Sequence, residues 1–553
     1  MKKICLLFFP AFLFLFFSCK KSNDTVTPSA LVLRSATLND SVAYNNTFAN
    51  ATRRPVLKIT FSAALQAATL PGITITEHAT GNTVNTGITT ADNDSTVIIQ
   101  PNQDLTYLAV YDIKIPNTLE GTLGERFPND IKYQLVTAPD TSVNHFPQIT
   151  DDVLLTLVQQ QSFRYFWDFG HPVSGMARER NTSSDVVTTG GTGFGIMAII
   201  TGIERGFITR AEGCDRIDTI VSFLTNKALR YHGAFAHWIN GATGATIPFS
   251  ASDNGADLVE TSYLMEGLLC ARQYFDQSSA AETGLRNSIN NLWQGVEWNW
   301  FRRNNEQVLY WHWSPDKDWA MNVQIRGWNE CMVTYILAAC APVDSIPASV
   351  YRQGWAGNGS IANGHSYFGI TLPLGSAYGG PLFFAHYSFM GIDPNGLVDA
   401  YANYGTQNTA HSQIDQAYCI ANPKRFNGYN ASCWGLTASD EAGGYSAHAP
   451  DNDNGTISPT AAVSSLPYTP AASMNAIRFF YYKLGDKLWG TYGFKDAFNL
   501  TRVWFADSYL AIDQGPQIVM IENYRTKLLW NLFMSCPEIK NGMQRLGFSS
   551  PHF

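Results

Sequence analysis

The spacing of apolar residues divides the chain into two parts. From about residue 30 to residue 138, apolar and polar residues alternate, as in PVLKITFSAAL, GITITEHATG, STVIIQPNQDL and AVYDIKIPNTL. A period of two is that of half-buried strands, and turn-rich pieces such as ADNDS and PNQD separate the segments. This pattern predicts a β-sandwich over residues 30–138.

From residue 149 onward the apolar residues follow helical spacing. The helical segments are joined by Gly- and Pro-rich loops, and they include DDVLLTLVQQQSFRYFWDF, GFGIMAIITGIERG, ADLVETSYLMEGLLCARQYF and QIVMIENYRTKLLWNLFMS. They are too many for a simple bundle, whereas an (α/α)6 toroid accommodates them, with inner helices apolar nearly all round. We therefore predict an all-α (α/α)6 toroid over residues 149–553, with residues 139–148 as a linker.

The N-terminus has the pattern of an export signal. Lys2 and Lys3 precede the short apolar run ICLLFFPAFLFLFF, which indicates a signal peptide over residues 1–18. Ser18 before Cys19 is similar to a bacterial lipobox, so we predict lipidation of Cys19 and a polar tether over residues 19–29. We expect an exported outer-membrane lipoprotein on the periplasmic or cell-surface side. Secretion without an anchor is the alternative.

Charge and cysteine content disfavour several classes of partner. The formal net charge is −8, or −10 once Lys2 and Lys3 leave with the signal peptide, and the chain has no basic run. Nucleic acid and polyanionic sugars are disfavoured, since phosphate contacts need clustered Lys and Arg. Seven cysteines follow Cys19 without a C-x-x-C pair, which argues against a metal cluster or a disulfide scaffold but leaves a single disulfide open. We expect a monomer without metal or cofactor.

Three acidic residues lie at helical spacing in SDNGADLVETSYLMEGLL. Asp253, Asp257 and Glu260 occupy positions i, i+4 and i+7, which share one face of a helix. Asp257 as N-cap and Glu260 at N3 also fit a capping box. Capping does not require Asp253, and an inner toroid helix directs its N-terminal end into a cleft. We therefore expect all three acids at the mouth of a cleft.

Glu330 lies directly before a long apolar helix, in GWNECMVTYILAA. Asn329 fits an N-cap there, with Glu330 favoured in the first turn by the helix dipole. The functional interpretation is a general acid, because an apolar, aromatic setting raises a carboxyl pKa. The preceding segment is rich in tryptophan, and aromatic faces stack on sugar rings. Its candidates for stacking are Trp311, Trp313 and Trp328.

Two further carboxyl groups have ambiguous settings. Glu441 lies near Asp440 and His448 in SDEAGGYSAHAP, a segment too long and aromatic for a simple surface turn. Asp513 lies at the start of a helix in AIDQGPQIVMIENYRT, where it fits a cap as well as a cleft position. The segments GGTGFG and DNDNG match neither a dinucleotide-binding motif nor an EF-hand loop, so we interpret GGTGFG as packing or a turn.

Over residues 150–550 the chain resembles glycoside hydrolase family 144, within the bacterial glucoamylase-like domain. The resemblance rests on blocks in one order, among them SFRYFWDFGHPVSGMARERN, SDNGADLVETSYLMEGLL, LYWHWSPDKDWAMNVQIRGWNECMVTYILAA, CWGLTASDEAGGYSAHAP and DQGPQIVMIENYRT. It implies an (α/α)6 barrel that hydrolyses β-1,2-linked glucan with inversion. The first domain resembles a bacterial Ig-like domain, which we interpret as a spacer that hydrolysis does not need; a glycan-binding role is the alternative.

The resemblance also implies roles for the candidate residues. An inverting enzyme holds its acid and base about 6.5–9.5 Å apart. We predict Glu330 as the acid and Asp513 as the base, ahead of Asp257 and Glu441. The predicted sugar contacts are Asp253, Asp257, Glu260, Glu441, Trp311, Trp313 and Trp328. We expect endo action on the glucan; the alternatives are an exo-acting enzyme that releases disaccharide and a non-catalytic glycan-binding lipoprotein.

Overall fold

The computed structural model describes residues 29–553, so the predicted signal peptide and Cys19 lie outside the described residues. Nine strands form the first domain of the described chain. They are β1 Leu33–Leu38, β2 Ser41–Val42, β3 Thr47–Ala51, β4 Leu57–Phe61, β5 Thr74–Glu77, β6 Thr86–Ala91, β7 Thr96–Pro101, β8 Val110–Ile115 and β9 Ile131–Thr137.

The strands form two sheets, in the orders β2-β1-β4-β7-β6 and β3-β9-β8-β5. The pairing is antiparallel except between β3 and β9, which run parallel. The alternating apolar residues point inward, and Ile59, Val97, Ile113 and Leu135 are at most 1% exposed. The predicted β-sandwich is confirmed.

The remaining described chain is mainly helical. Its helices are α1 Asp151–Trp167, α2 Thr189–Glu204, α3 Arg210–Asn226, α4 Leu258–Tyr274, α5 Ala280–Gln294, α6 Met332–Cys340, α7 Ala348–Val350, α8 Tyr404–Ala421, α9 Pro459–Ser464, α10 Pro470–Leu488, α11 Ala511–Thr526, α12 Leu528–Ser535 and α13 Pro537–Leu546. The short strands between them are β10 Val186–Thr188, β11 Trp238–Asn240, β12 Thr246–Ile247, β13 Ala256–Asp257, β14 His312–Trp313, β15 Ser366–Tyr367, β16 Ile370–Thr371, β17 Ala438–Glu441, β18 Gly444–Ala447, β19 Trp489–Gly490, β20 Gly493–Phe494, β21 Phe498–Asn499 and β22 Trp504–Phe505.

Five helices and one irregular segment form an inner ring. Helix α2 packs between α11 and α4, α4 also packs on α6, and α11 packs on α9. Residues 382–389, which form two short 3-10 turns, lie between α6 and α9. There His386 Nε2 lies 3.0 Å from Ser465 Oγ, and Tyr468 Oη donates to the carbonyl of Ala385 at 2.9 Å. The predicted (α/α)6 toroid is confirmed, and its sixth inner position holds these turns in place of a regular helix.

Helix α2 is rich in glycine because its neighbours approach its backbone closely. A Cβ at Gly193 would overlap the backbone carbonyl of Tyr263 in α4, and a Cβ at Gly267 would overlap the carbonyl of Gly193. The segment GGTGFG therefore lies in α2 and serves helix packing, one of the two interpretations drawn from the sequence.

The two domains meet at loop 422–430 of the toroid. The backbone N–H of Asn50 donates to Asn427 Oδ1 at 2.8 Å, and the N–H of Gly428 donates back to Asn50 Oδ1 at 2.7 Å. The Asn427 amide also donates to the carbonyl of Thr137 at 3.0 Å. Asn427 is 1% exposed, so the Ig-like domain covers this part of the toroid.

All seven cysteines after Cys19 lie in the toroid as buried free thiols: Cys214, Cys270, Cys331, Cys340, Cys419, Cys433 and Cys536. Residues 29–553 thus form no disulfide, which answers the question that the sequence left open. No helix in this range combines the length and hydropathy needed to cross a bilayer.

Candidate active site

The N-terminus of α4 holds two of the predicted carboxyl groups. Asp257 is the N-cap, and its Oδ1 accepts from the N–H groups of Val259 and Glu260 at 3.0 and 2.9 Å. The Glu260 carboxylate accepts from the N–H of Gly190 at 2.7 Å and from Thr188 Oγ1 at 3.2 Å. Half of the predicted capping box is therefore present. The Glu260 side chain does not accept from the N–H of Asp257, as a full capping box requires. It bonds instead to the start of α2 and so joins the starts of the two helices.

Asp253 does not lie on the helix, and the prediction of one shared helical face was wrong. Helix α4 begins at Leu258, because β13 pairs with β14 and holds Ala256 and Asp257 in an extended conformation. Asp253 lies in a preceding turn, where its N–H donates to the carbonyl of Ser250 at 3.1 Å. The carboxyl nevertheless reaches the same cluster, since Asp253 Oδ2 is 3.5 Å from His312 Nε2.

Two histidines complete this cluster. The β13–β14 ladder sets His312 opposite Asp257, and His237 Nδ1 is 3.2 Å from Asp257 Oδ2. Burial opposes a charge on His237, but the carboxylates of Glu260 and Asp257 raise its pKa to about 9. Burial likewise opposes a charge on Asp257, yet the hydrogen bond from His237 and the charge of His312 hold its pKa below the usual range. Asp257 and His237 therefore form an ion pair at neutral pH, in which the carboxylate is buried and the imidazole half-buried.

The same cluster has ligand atoms at metal-binding distances. Atoms of His237, Asp253 and Asp257 lie within 4.8 Å of one another. A metal ligand must be a neutral imidazole, whereas the raised pKa of His237 favours the imidazolium. Burial and the charge of Asp257 raise the pKa of Asp253 as well. The arrangement fits a set of hydroxyl-binding acceptors and donors better than a metal centre.

Glu330 lies just before α6 and is half-buried. Its backbone carbonyl accepts hydrogen bonds from Tyr263 Oη and Ser388 Oγ, which fix its backbone against α4 and the irregular sixth position. Burial, with smaller contributions from the charges of Asp257 and Glu260, raises the pKa of Glu330 to about 7. The helix N-cap is Cys331 rather than Asn329, so Glu330 precedes the helix and does not lie in its first turn.

Asp513 lies in the first turn of α11 and is 2% exposed. Burial raises its pKa well above the usual range, and the charge of the neighbouring Asp496 carboxyl raises it further. Asp496 Oδ2 accepts from the N–H of Asp440 at 2.7 Å. The Asp440 carboxylate is in turn bound by Arg180 Nη1 at 3.1 and 3.2 Å, and Arg180 Nε is 2.9 Å from Glu179.

Tyr387 connects the two groups of acids. It is 4% exposed and packs against Phe194 and Tyr263 with ring centroids 5.2 and 5.7 Å away. Burial raises its pKa well above the usual range, and the charges of Asp513, Glu330 and Glu260 add to the rise. These carboxyl groups, from the first turns of α11 and α4 and from the segment before α6, therefore lie near one tyrosine at the N-terminal ends of the inner helices.

The structure distributes the remaining predicted residues differently. Glu441 ends β17 of a hairpin, where it accepts from the Asn454 amide and lies 3.5 Å from His448 Nε2. Trp311 and Trp313 are half-buried on either side of His312. Trp328 is 6% exposed and packs near Phe389 and Tyr404, so its ring belongs to the core and we withdraw it as a sugar-stacking candidate.

Several site residues were missed by the sequence interpretation. Neither His237, Asp496 nor Arg180 stands in a recognisable motif, although Arg180 lies within the block SFRYFWDFGHPVSGMARERN. His312 could have been found, because it lies between two tryptophans in YWHWSP and alternation in a strand separates it from both. Tyr387 had no distinguishing signal among the many aromatic residues.

Comparison with known proteins identifies the family of the chain. The sequence model of the family described as "Putative glucoamylase" matches residues 322–537, and that of the bacterial Ig-like domain matches residues 29–137. A crystal structure from Bacteroides uniformis with the same glucoamylase description shares 58% identity; the match covers 74% of this chain and 100% of the other, with a TM-score of 0.73. The chain belongs to the glucoamylase-like family.

Two relatives within the family have named activities. The endo-β-1,2-glucanase of Chitinophaga pinensis is 51% identical over 73% of this chain and 100% of its own, with a TM-score of 0.72. The exo β-1,2-glucooligosaccharide sophorohydrolase (non-reducing end) of Parabacteroides distasonis is 48% identical over 75% of this chain. The match spans 62% of the length of that curated relative.

Proposed function

We propose that this protein is a glycoside hydrolase that cleaves β-1,2-linked glucan. The proposal rests on one observation above all: Glu330, a half-buried carboxyl with a pKa of about 7, and the carboxyl of Asp513 lie near the same tyrosine, Tyr387, at the N-terminal ends of the inner helices. A raised pKa keeps a general acid protonated near neutral pH. The substrate class follows from the named activities of the two relatives.

In the proposed reaction Glu330 donates its proton to the glycosidic oxygen. The C–O bond breaks with its electron pair on the leaving oxygen, while a water attacks the anomeric carbon from the opposite face. Asp513 accepts the proton that the water loses, and solvent then returns the two carboxyl groups to their starting states. Asp253, Glu260 and Glu441 accept hydrogen bonds from glucose hydroxyl groups, and Trp311 and Trp313 stack on sugar rings. Asp257 is fully buried, so we withdraw it as a direct sugar contact; it holds His237 and His312 beside the sugar.

Reducing-sugar release from linear β-1,2-glucan tests the activity. Release is expected from the folded protein and not from a non-catalytic glycan-binding protein. Because water attacks opposite the leaving group, a β-linked substrate should give the α-anomer first. Proton NMR in the first minutes records this anomer; the β-anomer as first product would contradict both the inverting mechanism and the two assignments.

Endo action is our first proposal for the cleavage mode, supported by the Chitinophaga pinensis enzyme. Exo release of a disaccharide is the second, because the Parabacteroides distasonis relative acts in that way and is nearly as similar. The size distribution of products over time separates the two. Endo action gives mixed oligosaccharides early, whereas exo action gives disaccharide alone from the start.

We also propose export of a monomer held at the outer membrane by a lipid on Cys19, supported by the Lys2 and Lys3 signal and by Ser18 before the cysteine. Membrane fractions should contain the full chain but lose it after Cys19→Ser. Equal membrane association of the two proteins would contradict the anchor, and sedimentation of residues 29–553 tests the monomer.

A further inference from the structure

The contact between Asp496 and Asp513 poses a hydrogen-bonding problem. Both side chains are 2% exposed. Asp496 Oδ2 has a donor in the N–H of Asp440, but no N–H or O–H group of residues 29–553 donates to Asp496 Oδ1 or to Asp513 Oδ2. Buried polar atoms in native proteins are nearly always hydrogen-bonded, and an orphaned carboxylate oxygen carries a large desolvation cost. The two carboxyl groups nevertheless contact each other.

Nearby charges do not neutralise a second negative charge at this place. Arg180 is the cation that faces the pair, and it already binds two carboxylates, those of Asp440 and Glu179. Tyr445 also faces Asp513 and Asp496, and a phenol can add no positive charge. Two ionised carboxylates in contact would therefore repel each other without a free counter-ion.

We propose that Asp496 and Asp513 share one proton, and that Asp496 is the positioning residue that orients Asp513 toward the cleft. A single proton between Asp496 Oδ1 and Asp513 Oδ2 satisfies both orphaned oxygens and leaves one negative charge on the pair. The structural part stands on the two buried oxygens; the catalytic part rests on the proposed function, in which Asp513 accepts a proton from water.

Sharing a proton reconciles the base role with the setting of Asp513. A lone carboxyl with a raised pKa would be protonated and could accept nothing. In a pair with one proton, the remaining negative charge can still accept a proton from water, while the first proton holds the geometry. Asp496 would thus keep Asp513 in position without touching the substrate.

Stability against pH tests the shared proton without any activity assay. The folded pair binds a proton that the unfolded chain releases near pH 4, so the wild-type protein loses stability as pH rises from that value toward the raised pKa. In Asp496→Asn the amide oxygen can accept from the Asp440 N–H while its NH₂ group donates to Asp513. We expect the melting temperature of this variant, relative to wild type, to rise by at least about 2 °C between about pH 5 and about pH 8.

Asp513→Asn should show the same trend, since it also removes the need for the proton. The gains of the two single variants should not add in the double variant, because both remove the same repulsion. Asp440→Asn is the matched control. The charge of Asp440 also faces the pair, but its oxygens already receive hydrogen bonds from Arg180 and Ser508, so this variant should gain less at high pH than Asp496→Asn. A relative melting temperature of Asp496→Asn that stays flat or falls with pH would overturn the shared proton.

The kinetic readout concerns the positioning role. A carboxylic acid donates a stronger hydrogen bond to the Asp513 carboxylate than an amide does. The acid limb of kcat/KM should therefore move to higher pH in Asp496→Asn. An unchanged limb, together with the expected stability trend, would leave the shared proton standing and remove Asp496 from catalysis. If wild-type protein hydrolyses no β-1,2-glucan, the proposed function fails while the stability experiment still decides on the pair.

Discussion

At the scale of single residues, the state of Glu330 controls the proposed chemistry. Its protonated form donates the proton, and its pKa is raised to about 7 by burial. Activity should therefore fall as pH rises through about 7. Below about pH 7 we expect Glu330→Gln to lose at least about 10²-fold in kcat, the lower end for general acid–base catalysis, and the difference from wild type should shrink as pH rises. Initial rates on linear β-1,2-glucan from about pH 5 to about pH 9 measure both effects.

The control for this experiment is Glu297→Gln. Glu297 belongs to the same tryptophan-rich segment, but its side chain is 54% exposed and binds His232 on the surface. This variant should keep near-normal rates and the same fall in activity above about pH 7 as the wild-type protein. Near-normal rates in a folded Glu330→Gln protein would remove Glu330 from the mechanism.

Asp257 has a structural role and a binding role, and each belongs to one of its two carboxylate oxygens. Oδ1 caps α4, and asparagine caps a helix as well as aspartate does. Oδ2 faces His237 and His312, where the charge is lost in Asp257→Asn. We expect KM to rise with kcat nearly unchanged, as for lost uniform binding.

Asp257→Ala distinguishes the two roles. It removes the cap as well, so it should also lower the free energy of unfolding by about 1 kcal/mol relative to Asp257→Asn. If Asp257→Asn instead abolishes kcat at unchanged KM, Asp257 takes part in the chemistry and competes with Asp513 for the base.

Four carboxyl groups that lie near one another, those of Glu330, Asp257, Glu260 and Asp513, could be selected from the sequence. The aromatic setting indicated Glu330 and the family resemblance the others, and their catalytic and binding roles stay predictions. Their partners could not be predicted. His237 and Asp496 reach the site through strand pairing and loop contacts between segments far apart in sequence, and no local spacing records such contacts.

At the scale of elements, the crossing of α2 and α4 limits what the inner ring tolerates. The backbones touch at Gly193 and Gly267, where a side chain has no space on either helix. We expect Gly193→Ala to lower the free energy of unfolding by at least about 2 kcal/mol through overpacking against backbone atoms. The first turn of α2 would shift too, and with it the Gly190 N–H that binds Glu260. Urea denaturation measures the loss.

The same substitution at Gly284 is the control. Gly284 lies on the exposed face of α5, and a Cβ there meets nothing within 4 Å. Alanine should stabilise this helix by up to about 1 kcal/mol. Equal effects at the two positions would mean that the α2–α4 crossing adapts and does not constrain the ring.

Helical spacing predicted most elements but not the irregular ones. Helices α2, α4 and α11 could be identified from long runs of apolar residues at helical spacing, because these helices are buried over most of their length. Spacing failed for Asp253, because β13 pairs with a strand more than fifty residues later in the chain. It also gave no warning that the sixth inner position, residues 382–389, consists of 3-10 turns, since four apolar residues in a row fit either structure.

At the scale of the whole molecule, the Ig-like domain is more than the spacer that the sequence suggested. Asn50 and loop 422–430 exchange hydrogen bonds, and Asn427 is buried beneath the first domain. A chain that starts near residue 142 exposes this loop. We expect it to melt at a lower temperature than residues 29–553, while the folded fraction keeps its rate on soluble glucan. Calorimetry and initial rates measure the two properties.

A point variant isolates the contact. Asn50 has a φ of 54°, which glycine adopts freely, so Asn50→Gly removes the side chain without backbone strain. We expect it to lower the free energy of unfolding by about 1 kcal/mol, the net value of a hydrogen bond. Asn93→Gly, at a φ of 53° in an exposed turn of the same domain, should have no effect. If the chain that starts near residue 142 melts at the same temperature as residues 29–553, the interpretation of the Ig-like domain as a spacer stands.

The seven buried thiols make unfolding of the toroid chemically observable. An alkylating reagent reacts with a thiolate, and burial raises the pKa of Cys270, Cys331 and Cys419 well above the usual range, which suppresses that form in the native state. Modification must then wait for the covering structure to open. The order in which the seven sites are labelled, read by mass spectrometry, would rank local opening around the ring, and the Ig-like domain, which has no cysteine, would add no background.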